Sequence, residues 1–325
     1  MHFVQLGESG LTISRLALGC MSVGDPSSRP WMLDEDAARP FFRAAIEAGI
    51  NFFDTADVYS VGRSEEITGR LLREYANMEE IVLATKVYFP MSQGPNMQGL
   101  SRKHVVQACE ASLRRLGVET IDLYQIHRFG TTVPIEETLA ALDLLVSQGK
   151  VRYIGASSGP AWRMARALSA SERHGWARFI SMQNHYNLIY REEEREMIPL
   201  CLEQGVGLIP WSPLARGLLA RPRPSVAGAG TARAKHDEYT RRLYDSPSDM
   251  DVVDAVQRVA ERRGDSMAEV ALAWLLSRRG VAAPIVGATK LTHLETAVRA
   301  LDVQLSEDDV RELEAPYRPH GVRGF

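Results

Sequence analysis

The sequence predicts an α/β protein folded as a (β/α)8 barrel, also called a TIM barrel. Eight short apolar runs alternate with amphipathic helical runs along the 325 residues. The apolar runs are continuous rather than alternating, which is typical of parallel strands covered on both faces. No run is followed by a GxGxxG turn or a P-loop, so a doubly wound nucleotide-binding sheet is not indicated. Eight strand-then-helix units in one chain therefore favour the closed barrel.

The eight predicted strands begin near the N-terminus and end close to the last helices. They are Leu16–Gly19, Asn51–Asp54, Ile81–Lys86, Ile121–His127, Val151–Ser157, Phe179–Gln183, Val206–Trp211 and Ala283–Gly287. The residues before them, Phe3–Ile13, are typical of a hairpin that turns at Glu8, Ser9 and Gly10. We expect this N-terminal hairpin to close the bottom of the barrel.

The helix predictions rest on apolar spacing and on end signals. Ser101 is a capping residue for one helix, and Gly149 lies just past the end of the next. The predicted helices are Asp36–Ala48, Ser101–Leu116, Pro134–Gln148, Ala161–Arg173, Glu192–Gln204, Asp249–Arg263, Met267–Ser277 and Thr292–Ala300, with Ser306–Glu314 as an extra C-terminal helix. The segment Arg221–Ser246, which begins RPRPSVAGAGT, has loop character and a length typical of lids or binding loops. No repeat or linker divides the chain, so residues 1–325 are predicted to form a single domain.

Composition and charge exclude several classes of protein. A net charge of −3 lacks the basic signature of a nucleic-acid-binding surface. The longest apolar runs, such as Val281–Val286, are too short to span a bilayer. The N-terminus lacks the basic start and apolar stretch of a signal peptide. Cys20, Cys109 and Cys201 are widely spaced and odd in number, which indicates a reducing, cytoplasmic setting.

Four chemically active side chains follow three consecutive predicted strands. Asp54 and Tyr59 come after the second strand, Lys86 ends the third and His127 ends the fourth. Active sites of such barrels lie at the C-terminal ends of the strands, so these groups should face one mouth. A free phenol has a pKa of about 10, and a nearby ammonium favours the phenolate. The sequence therefore predicts a proton-donor assembly, with His127 able to donate a hydrogen bond to a substrate oxygen.

Each of the four also has an ordinary structural alternative. Asp54 alone could cap a turn, Tyr59 could be a packed loop aromatic, Lys86 a solvated charge and His127 a structural histidine. Other site chemistries find less support. His104, His127, His174 and His185 have no HxH or HxxxH spacing, so no metal site is predicted. A serine hydrolase is disfavoured because no GxSxG motif is present.

Longer motifs resemble a known family. The segment Gly49–Leu72, GINFFDTADVYSVGRSEEITGRLL, closely resembles the first signature of the aldo-keto reductases. The likeness continues through ATKV (Ala84–Val87), YQIHR (Tyr124–Arg128), GKVRYIGASS (Gly149–Ser158), SMQNHYNLI (Ser181–Ile189), WSPLARGLL (Trp211–Leu219) and PIVGATK (Pro284–Lys290). The REEERE run, the long loop and the ending APYRPHGVRGF most resemble the bacterial aryl-alcohol-dehydrogenase-like branch.

The resemblance implies a barrel that binds NADPH without a Rossmann fold. It implies hydride transfer between the nicotinamide and a carbonyl carbon. By the same resemblance Tyr59 is the proton donor, Lys86 and Asp54 tune it, and His127 orients the carbonyl. Small carbonyl or alcohol compounds are the implied substrates, with no nucleic-acid or membrane partner.

The resemblance also assigns cofactor contacts. Ser157 and Gln183 match residues that bind the carboxamide, whereas Ser158 stands where the family commonly has Asn. Trp211 matches the aromatic that stacks on the nicotinamide, and Lys290 belongs to a segment that grips the 2′-phosphate. The family's glutamate–asparagine pair for the adenine is replaced by Thr296 and Ala297. The full set implied is Gly19, Cys20, Met21, Asp54, Ser157, Ser158, Gln183, Trp211, Ser212, Pro213, Leu214, Arg216, Gly217, Gly287, Thr289, Lys290 and His293.

The substrate pocket is expected to be apolar and aromatic. Besides Tyr59 and His127, the candidates are Trp31, Tyr88, Phe89, Arg128 and Phe129, all beyond strand ends or in the first long loop. They suit aromatic or medium aliphatic aldehydes, although each could equally pack under a loop. Two other functions stay open: a cofactor-sensing regulatory subunit with little turnover, and carbonyl chemistry on a sugar phosphate. The latter would draw on the charges of Arg128 and Arg216.

Overall fold

A computed structural model of the chain, which describes residues 1–223 and 238–324, contains an eight-stranded parallel sheet. A hairpin of β1 (Phe3–Gln5) and β2 (Thr12–Ser14) precedes it. The sheet comprises β3 (Ala17–Gly19), β4 (Phe52–Asp54), β5 (Val82–Val87), β6 (Ile121–Ile126), β7 (Val151–Ser157), β8 (Phe179–Gln183), β9 (Gly207–Leu208) and β10 (Ile285–Val286). The strands lie in the order β10-β3-β4-β5-β6-β7-β8-β9.

Hydrogen bonds between the two ends of this sheet close it into a barrel. The Leu208 amide donates to the Gly280 carbonyl over 2.9 Å, and the Ala282 amide donates to the Leu208 carbonyl over 2.8 Å. These bonds join β9 to the residues just before β10. The predicted α/β barrel is therefore confirmed. The last two strands are shorter than their apolar runs because only part of each run pairs in the ladder.

Helices follow the strands on the outside. They are α1 (Glu35–Glu47), α2 (Arg63–Tyr75), α3 (Arg102–Leu116), α4 (Ile135–Ser147), α5 (Ala161–His174), α6 (Met197–Glu203), α7 (Glu238–Leu243), α8 (Pro247–Arg263), α9 (Met267–Leu276), α10 (Leu291–Arg299) and α11 (Glu307–Glu314). The predicted helix Glu192–Gln204 is wrong at its start, where Glu192–Glu194 form a separate 3-10 turn. The predicted C-terminal helix is α11, capped by Ser306.

Helix α2 was not among the sequence-predicted helices. Its buried face includes the polar residues Ser64, Glu65 and Thr68. The apolar residues Ile67, Leu71 and Leu72 are buried on the same helix, so α2 is amphipathic. Gly69 is also on this face, and a Cβ there would lie 2.0 Å from the Leu116 carbonyl oxygen of α3. A close helix contact and the ion pair of Glu65 with Arg115 thus add to the apolar stripe of this helix.

The hairpin lies at the N-terminal ends of the barrel strands, as expected. The Glu8 amide donates to the Gly205 carbonyl over 2.8 Å. Leu6 and Ile13 pack with Phe52 of β4 in an apolar cluster. A larger apolar cluster fills the space between strands and helices. The opposite end of the barrel, where the strands point, is thus left for the polar groups.

The predicted loop Arg221–Ser246 is described only in part. Residues 224–237 lie outside the described residues. The remainder includes α7, and α8 then begins at Pro247 with Ser246 as its cap. The position of α7 matters for the mouth of the barrel, because Tyr239 on it reaches the polar residues described below.

Candidate active site

A buried ion pair lies at the mouth of the barrel. Lys86, near the end of β5, donates from Nζ to Asp54 Oδ2 over 2.6 Å and to the Thr55 carbonyl over 2.7 Å. The Lys86 side chain has no exposed surface. Burial opposes its charge, but Asp54 and Tyr59 favour it, and the pKa of Lys86 is raised above its usual value. Lys86 is therefore held as an ammonium.

Two amide side chains complete the surroundings of Asp54. Gln125 and Gln183 donate to Asp54 Oδ1 over 3.0 and 2.9 Å. Lys86 and Gln125 are paired in register on β5 and β6, so the network follows from the alignment of the strands. With both carboxylate oxygens bonded, Asp54 is fixed in position beneath the lysine. Gln125 was not predicted as a site residue, and Gln183 was predicted only as a cofactor contact.

Tyr59 lies on the loop after β4, within reach of the ammonium. The Lys86 Nζ is 3.5 Å from the Tyr59 hydroxyl and 5.0 Å from the centre of its ring. Burial raises the pKa of Tyr59 and Lys86 acts in the opposite direction, but burial is the larger effect. The phenol is therefore protonated at neutral pH, which is the state that a proton donor requires.

His127 follows β6 and stands beside the phenol. Its ring is edge-on to Tyr59 at 5.8 Å and edge-on to Phe89 at 4.8 Å between ring centres. Burial, with the charges of Lys86 and Arg128, lowers the pKa of His127 well below its usual value, so the ring is neutral. Its buried Nδ1 has no hydrogen-bond partner in the described part of the chain.

The predicted substrate residues occupy different surroundings. Phe89 contacts His127, and Tyr88 is edge-on to Phe89 at 5.3 Å, so both lie at the mouth. Trp31 is buried in the loop after β3, with the Arg29 guanidinium 5.7 Å from its ring. Phe129 belongs to the core and is edge-on to Phe179 at 6.3 Å. Roles in substrate binding stay predictions for these residues.

A platform of stacked rings lies at the ends of β7 to β9. The Trp211 indole N–H donates to Ser158 Oγ over 3.0 Å, and its ring stacks on His185 at 4.2 Å. Ser157 donates from its hydroxyl to the Gln183 carbonyl over 2.8 Å. Trp211 is only half-buried, so its orientation is fixed while part of its ring stays open to a ligand. A role of Trp211 in stacking on a nicotinamide stays a prediction.

The segment after Trp211 has an unusual backbone. Ser212, Ala215, Arg216 and Gly217 have positive φ angles of 52°, 47°, 56° and 99°. Turns between right- and left-handed residues aim backbone N–H groups into concave sites that suit anions. Pro213 is buried beside them and Leu214 is half-buried. The segment Ser212–Gly217 therefore fits the pyrophosphate role that the resemblance implies.

Cationic side chains gather at the start of α10. Thr289 and Lys290 are exposed, and the helix begins at Leu291 without a side-chain cap. The pKa of His293 is lowered by burial and by the charges of Lys290 and Arg221. Arg221 also donates to the Gly217 carbonyl over 3.1 Å, which links the two cofactor segments. Arg221 was predicted only as part of a loop, because nothing in its local sequence indicates this contact.

The remaining predicted cofactor residues lie at the end of β3 and before α10. Gly19 ends β3, and a Cβ there would lie 2.7 Å from Ile285. Cys20 and Met21 form the following 3-10 turn, where the Cys20 carbonyl accepts a bond from Ser64 over 2.8 Å. A Cβ at Gly287 would have open space around it. Cofactor contacts at these positions stay predictions.

Metal clusters and membrane-spanning helices are both absent from the part of the chain that the structure describes. In residues 1–223 and 238–324, no group of three or more His, Cys, Asp or Glu side chains could hold a metal ion. Across the same ranges, no helix has the length and apolar content needed to cross a membrane.

Comparison with known proteins connects this site to a family. The profile of the Aldo/keto reductase family matches residues 15–318. Versiconal hemiacetal acetate reductase of Aspergillus parasiticus is 43% identical over 343 residues, covering 99% of this chain and 98% of that protein. A Schizosaccharomyces pombe protein named "Putative aryl-alcohol dehydrogenase C977.14c" is 44% identical over 343 residues, covering 98% and 96%. An aldo-keto reductase of Fusarium vanettenii is 43% identical over 347 residues, covering 100% and 93%.

These relatives correct one detail of the sequence prediction. All three come from fungi, and one carries an aryl-alcohol dehydrogenase name. The predicted bacterial branch is therefore not confirmed. Motifs shared across a family separate its branches poorly, because the residues that carry the chemistry are common to all of them.

Proposed function

Because the chain belongs to the aldo-keto reductase family, we propose that it is an NADPH-dependent reductase of aldehydes and ketones, able to run in reverse on alcohols. The observation that carries this proposal is the contact of the Tyr59 hydroxyl with the Lys86 ammonium, 3.5 Å away, beside a neutral His127. Carbonyl reduction needs a proton for the oxygen, and these groups form a protonated donor at the barrel mouth.

Each of the four side chains has a separate role in the reduction of the carbonyl. When bound, NADPH supplies a hydride to the carbonyl carbon. Tyr59 gives its proton to the carbonyl oxygen as negative charge develops there. The Lys86 ammonium stabilises the resulting phenolate, and Asp54 holds that ammonium in place. Neutral His127 donates a hydrogen bond to the same oxygen and so orients the carbonyl.

The residues at the ends of β7 to β10 fit the cofactor. Trp211, fixed by Ser158 and His185, offers a flat face for the nicotinamide. The backbone of Ser212–Gly217 suits the pyrophosphate. Lys290 and the start of α10 suit a 2′-phosphate, since amide groups and a cation there favour a dianion. The positive charge of Lys290 is the reason why we propose NADPH rather than NADH as the cofactor.

The proposal is tested with 4-nitrobenzaldehyde and NADPH by following nicotinamide absorbance. We expect turnover in the wild type and a loss of roughly 10²–10⁴-fold in Tyr59→Phe, the usual contribution of a positioned proton donor. NADPH binding, measured by fluorescence titration, should be retained in this variant. Wild-type turnover in Tyr59→Phe would reject Tyr59 as donor.

The same experiment separates the alternative functions. A wild-type protein that binds NADPH yet reduces no carbonyl in a broad panel would support the cofactor-sensing role instead. A matched control is Tyr75→Phe, because Tyr75 ends α2, away from the mouth of the barrel. We expect this control to keep the wild-type rate.

A further inference from the structure

Arg128 follows His127 and lies beside the reacting groups. It is half-buried, donates from Nη1 to the His127 carbonyl over 2.6 Å, and has its guanidinium 5.5 Å from the Phe89 ring centre. Tyr239 of α7 lies near it and favours its charge. Its charge helps to lower the pKa of His127, and it opposes the rise that burial causes in the pKa of Tyr59. The guanidinium is thus part of the mouth and not of the outer surface.

The surroundings of Arg128 contain no balancing anion. In the described part of the chain, no carboxylate lies within ion-pair distance of it, although two comparable arginines are paired: Arg115 with Glu65, and Arg191 with Glu194 over 2.9 Å. Burial lowers the pKa of Arg128, and the groups that oppose this effect are tyrosines. Charged groups removed from water are normally paired, because desolvation is costly.

The other charges at the mouth do not supply the missing anion. The Lys86 ammonium and the Asp54 carboxylate neutralise each other, with 2.6 Å between them. Tyr59 and His127 are both uncharged at neutral pH, as their shifted pKa values show. The named groups therefore sum to one positive charge, located on Arg128. A ligand carrying one negative charge would balance it.

We propose that Arg128 binds an anionic group of the substrate, and that the substrates are carbonyl compounds with an aromatic or apolar body and a carboxylate. This inference rests on the proposed reductase function. The aromatic walls of Tyr88, Phe89 and Tyr239 suit the body, and a guanidinium pairs with a carboxylate through two parallel hydrogen bonds. The His127 ring and the Arg128 guanidinium lie 4.8 and 5.5 Å from the centre of the Phe89 ring, so the carbonyl and the carboxylate of one aromatic substrate would bind at the two groups along that ring.

The test compares two aldehydes that differ in charge. The ratio of kcat/KM for 4-carboxybenzaldehyde to that for its neutral ester, methyl 4-formylbenzoate, should be at least about tenfold in the wild type. Arg128→Gln should bring this ratio close to one, and Arg128→Lys should keep part of it. Raising the ionic strength should lower the wild-type ratio, because salt screens a partly exposed charge pair.

A control arginine and a second anion sharpen the test. Arg163 lies on α5, with its guanidinium over the exposed Trp162. Arg163→Gln should leave the substrate ratio unchanged. Glyceraldehyde 3-phosphate presents an anion without an aromatic body, and its preference over 4-carboxybenzaldehyde would contradict the proposed substrate class. A wild-type ratio near one, or equal losses for both benzaldehydes in the glutamine and lysine variants, would overturn the role of Arg128.

Calorimetry distinguishes this inference from the proposed function. Terephthalate should bind the wild type at least about tenfold more tightly than benzamide, and Arg128→Gln should remove the difference. If terephthalate binds in this way while no aldehyde is reduced, the reductase function fails and the anion site stands. If aldehydes are reduced without any preference for charge and terephthalate does not bind, the anion site fails and the reductase function stands.

Discussion

The two sides of the barrel mouth are built differently. At the ends of β4 to β6, Asp54, Lys86 and Gln125 are buried and joined by hydrogen bonds of 2.6–3.0 Å. At the ends of β7 to β9, Trp211 and His185 are held by ring stacking. We call these the charged side and the stacked side.

The C-terminal tail belongs to the stacked side. The Arg323 amide donates to the Tyr190 hydroxyl over 2.9 Å, and Tyr190 stacks on His185 at 4.2 Å. Arg323 Nη1 also donates to the Leu243 carbonyl at the end of α7. A Cβ at Gly324 would lie 3.1 Å from the Trp211 ring. The stacked side is thus assembled from loops and the tail, whereas strands form the charged side.

This difference predicts which property a substitution on each side should change: stability and proton transfer on the charged side, and cofactor affinity on the stacked side. Removing a partner on the charged side leaves a buried ion uncompensated, which affects both folding and proton transfer. The stacked side presents flat rings and backbone groups, which we propose to be the binding site of the cofactor. Changes there should weaken cofactor affinity while leaving the fold nearly as stable.

The largest expected effect is that of Lys86→Met on the charged side. The variant leaves the Asp54 carboxylate without its ammonium, so the free energy of unfolding should fall by roughly 3–5 kcal/mol. Turnover of 4-nitrobenzaldehyde should fall by about 10³-fold or more, since the phenolate loses its stabilising charge. Denaturant unfolding and steady-state kinetics measure the two losses.

Lys150→Met is the matched control for this change. Lys150 also pairs with a carboxylate, Glu110, over 2.8 Å, but both side chains are partly exposed. Such pairs contribute about 0–1 kcal/mol, so its stability and turnover should stay near those of the wild type. Equal losses of stability and turnover for the two substitutions would contradict the proposed difference between the buried ion pair of the charged side and an exposed ion pair.

Asp57 extends the charged side and should make stability depend on pH. It is fully buried, and its Oδ1 accepts a bond from the Val58 amide over 2.7 Å. Burial and the neighbouring Glu65 raise its pKa from 3.8 to about 7, although Arg115 and Lys86 oppose this. The folded state thus binds a proton between these pH values that the unfolded state releases.

The stabilising contribution of the protonated Asp57 carboxyl is therefore present below about pH 4 and is lost as the pH rises to about 7. The variant Asp57→Asn should not show this loss of unfolding free energy, because asparagine does not titrate. The variant should gain on the wild type, by up to roughly 4 kcal/mol in unfolding free energy, between pH 4 and pH 8. Asp36→Asn is the control, because the Asp36 side chain is 95% exposed. Parallel pH curves for the wild type and Asp57→Asn would contradict the assignment.

The sequence predicted the barrel because each strand is covered on both faces and reads as a continuous apolar run. Predictions failed where the buried surface includes polar groups. Helix α2 buries Glu65, whose Oε1 accepts a bond from the Thr85 hydroxyl over 2.6 Å. This partner lies on β5, so the burial of Glu65 is not apparent from the sequence of α2 alone.

The same limit applies to the candidate site, where residues were missed when their partners are distant in the sequence. Asp54, Lys86 and His127 were predicted together because parallel strands end at one mouth, and the structure places them there. Gln125 lies two residues before His127 and was missed, because a lone glutamine within an apolar strand gives no signal of its partner. Arg221 was missed because its contacts join two loops far apart in the sequence.

The smallest effect tests the cofactor end beyond the stacked side. Lys290→Ala removes an exposed ammonium at the start of α10, next to the open helix N-terminus. We expect the Kd for NADPH to rise about tenfold, or ~1.4 kcal/mol, while the Kd for NADH changes little, because NADH lacks the 2′-phosphate. Fluorescence titration measures both constants, with Lys103→Ala on α3 as a control.

The unfolding free energy of Lys290→Ala should stay within about 0.5 kcal/mol of the wild type, as for most surface substitutions. Equal weakening of both nucleotides would remove the basis for NADPH preference, and a large loss of stability would show that this end, like the charged side, holds the fold together.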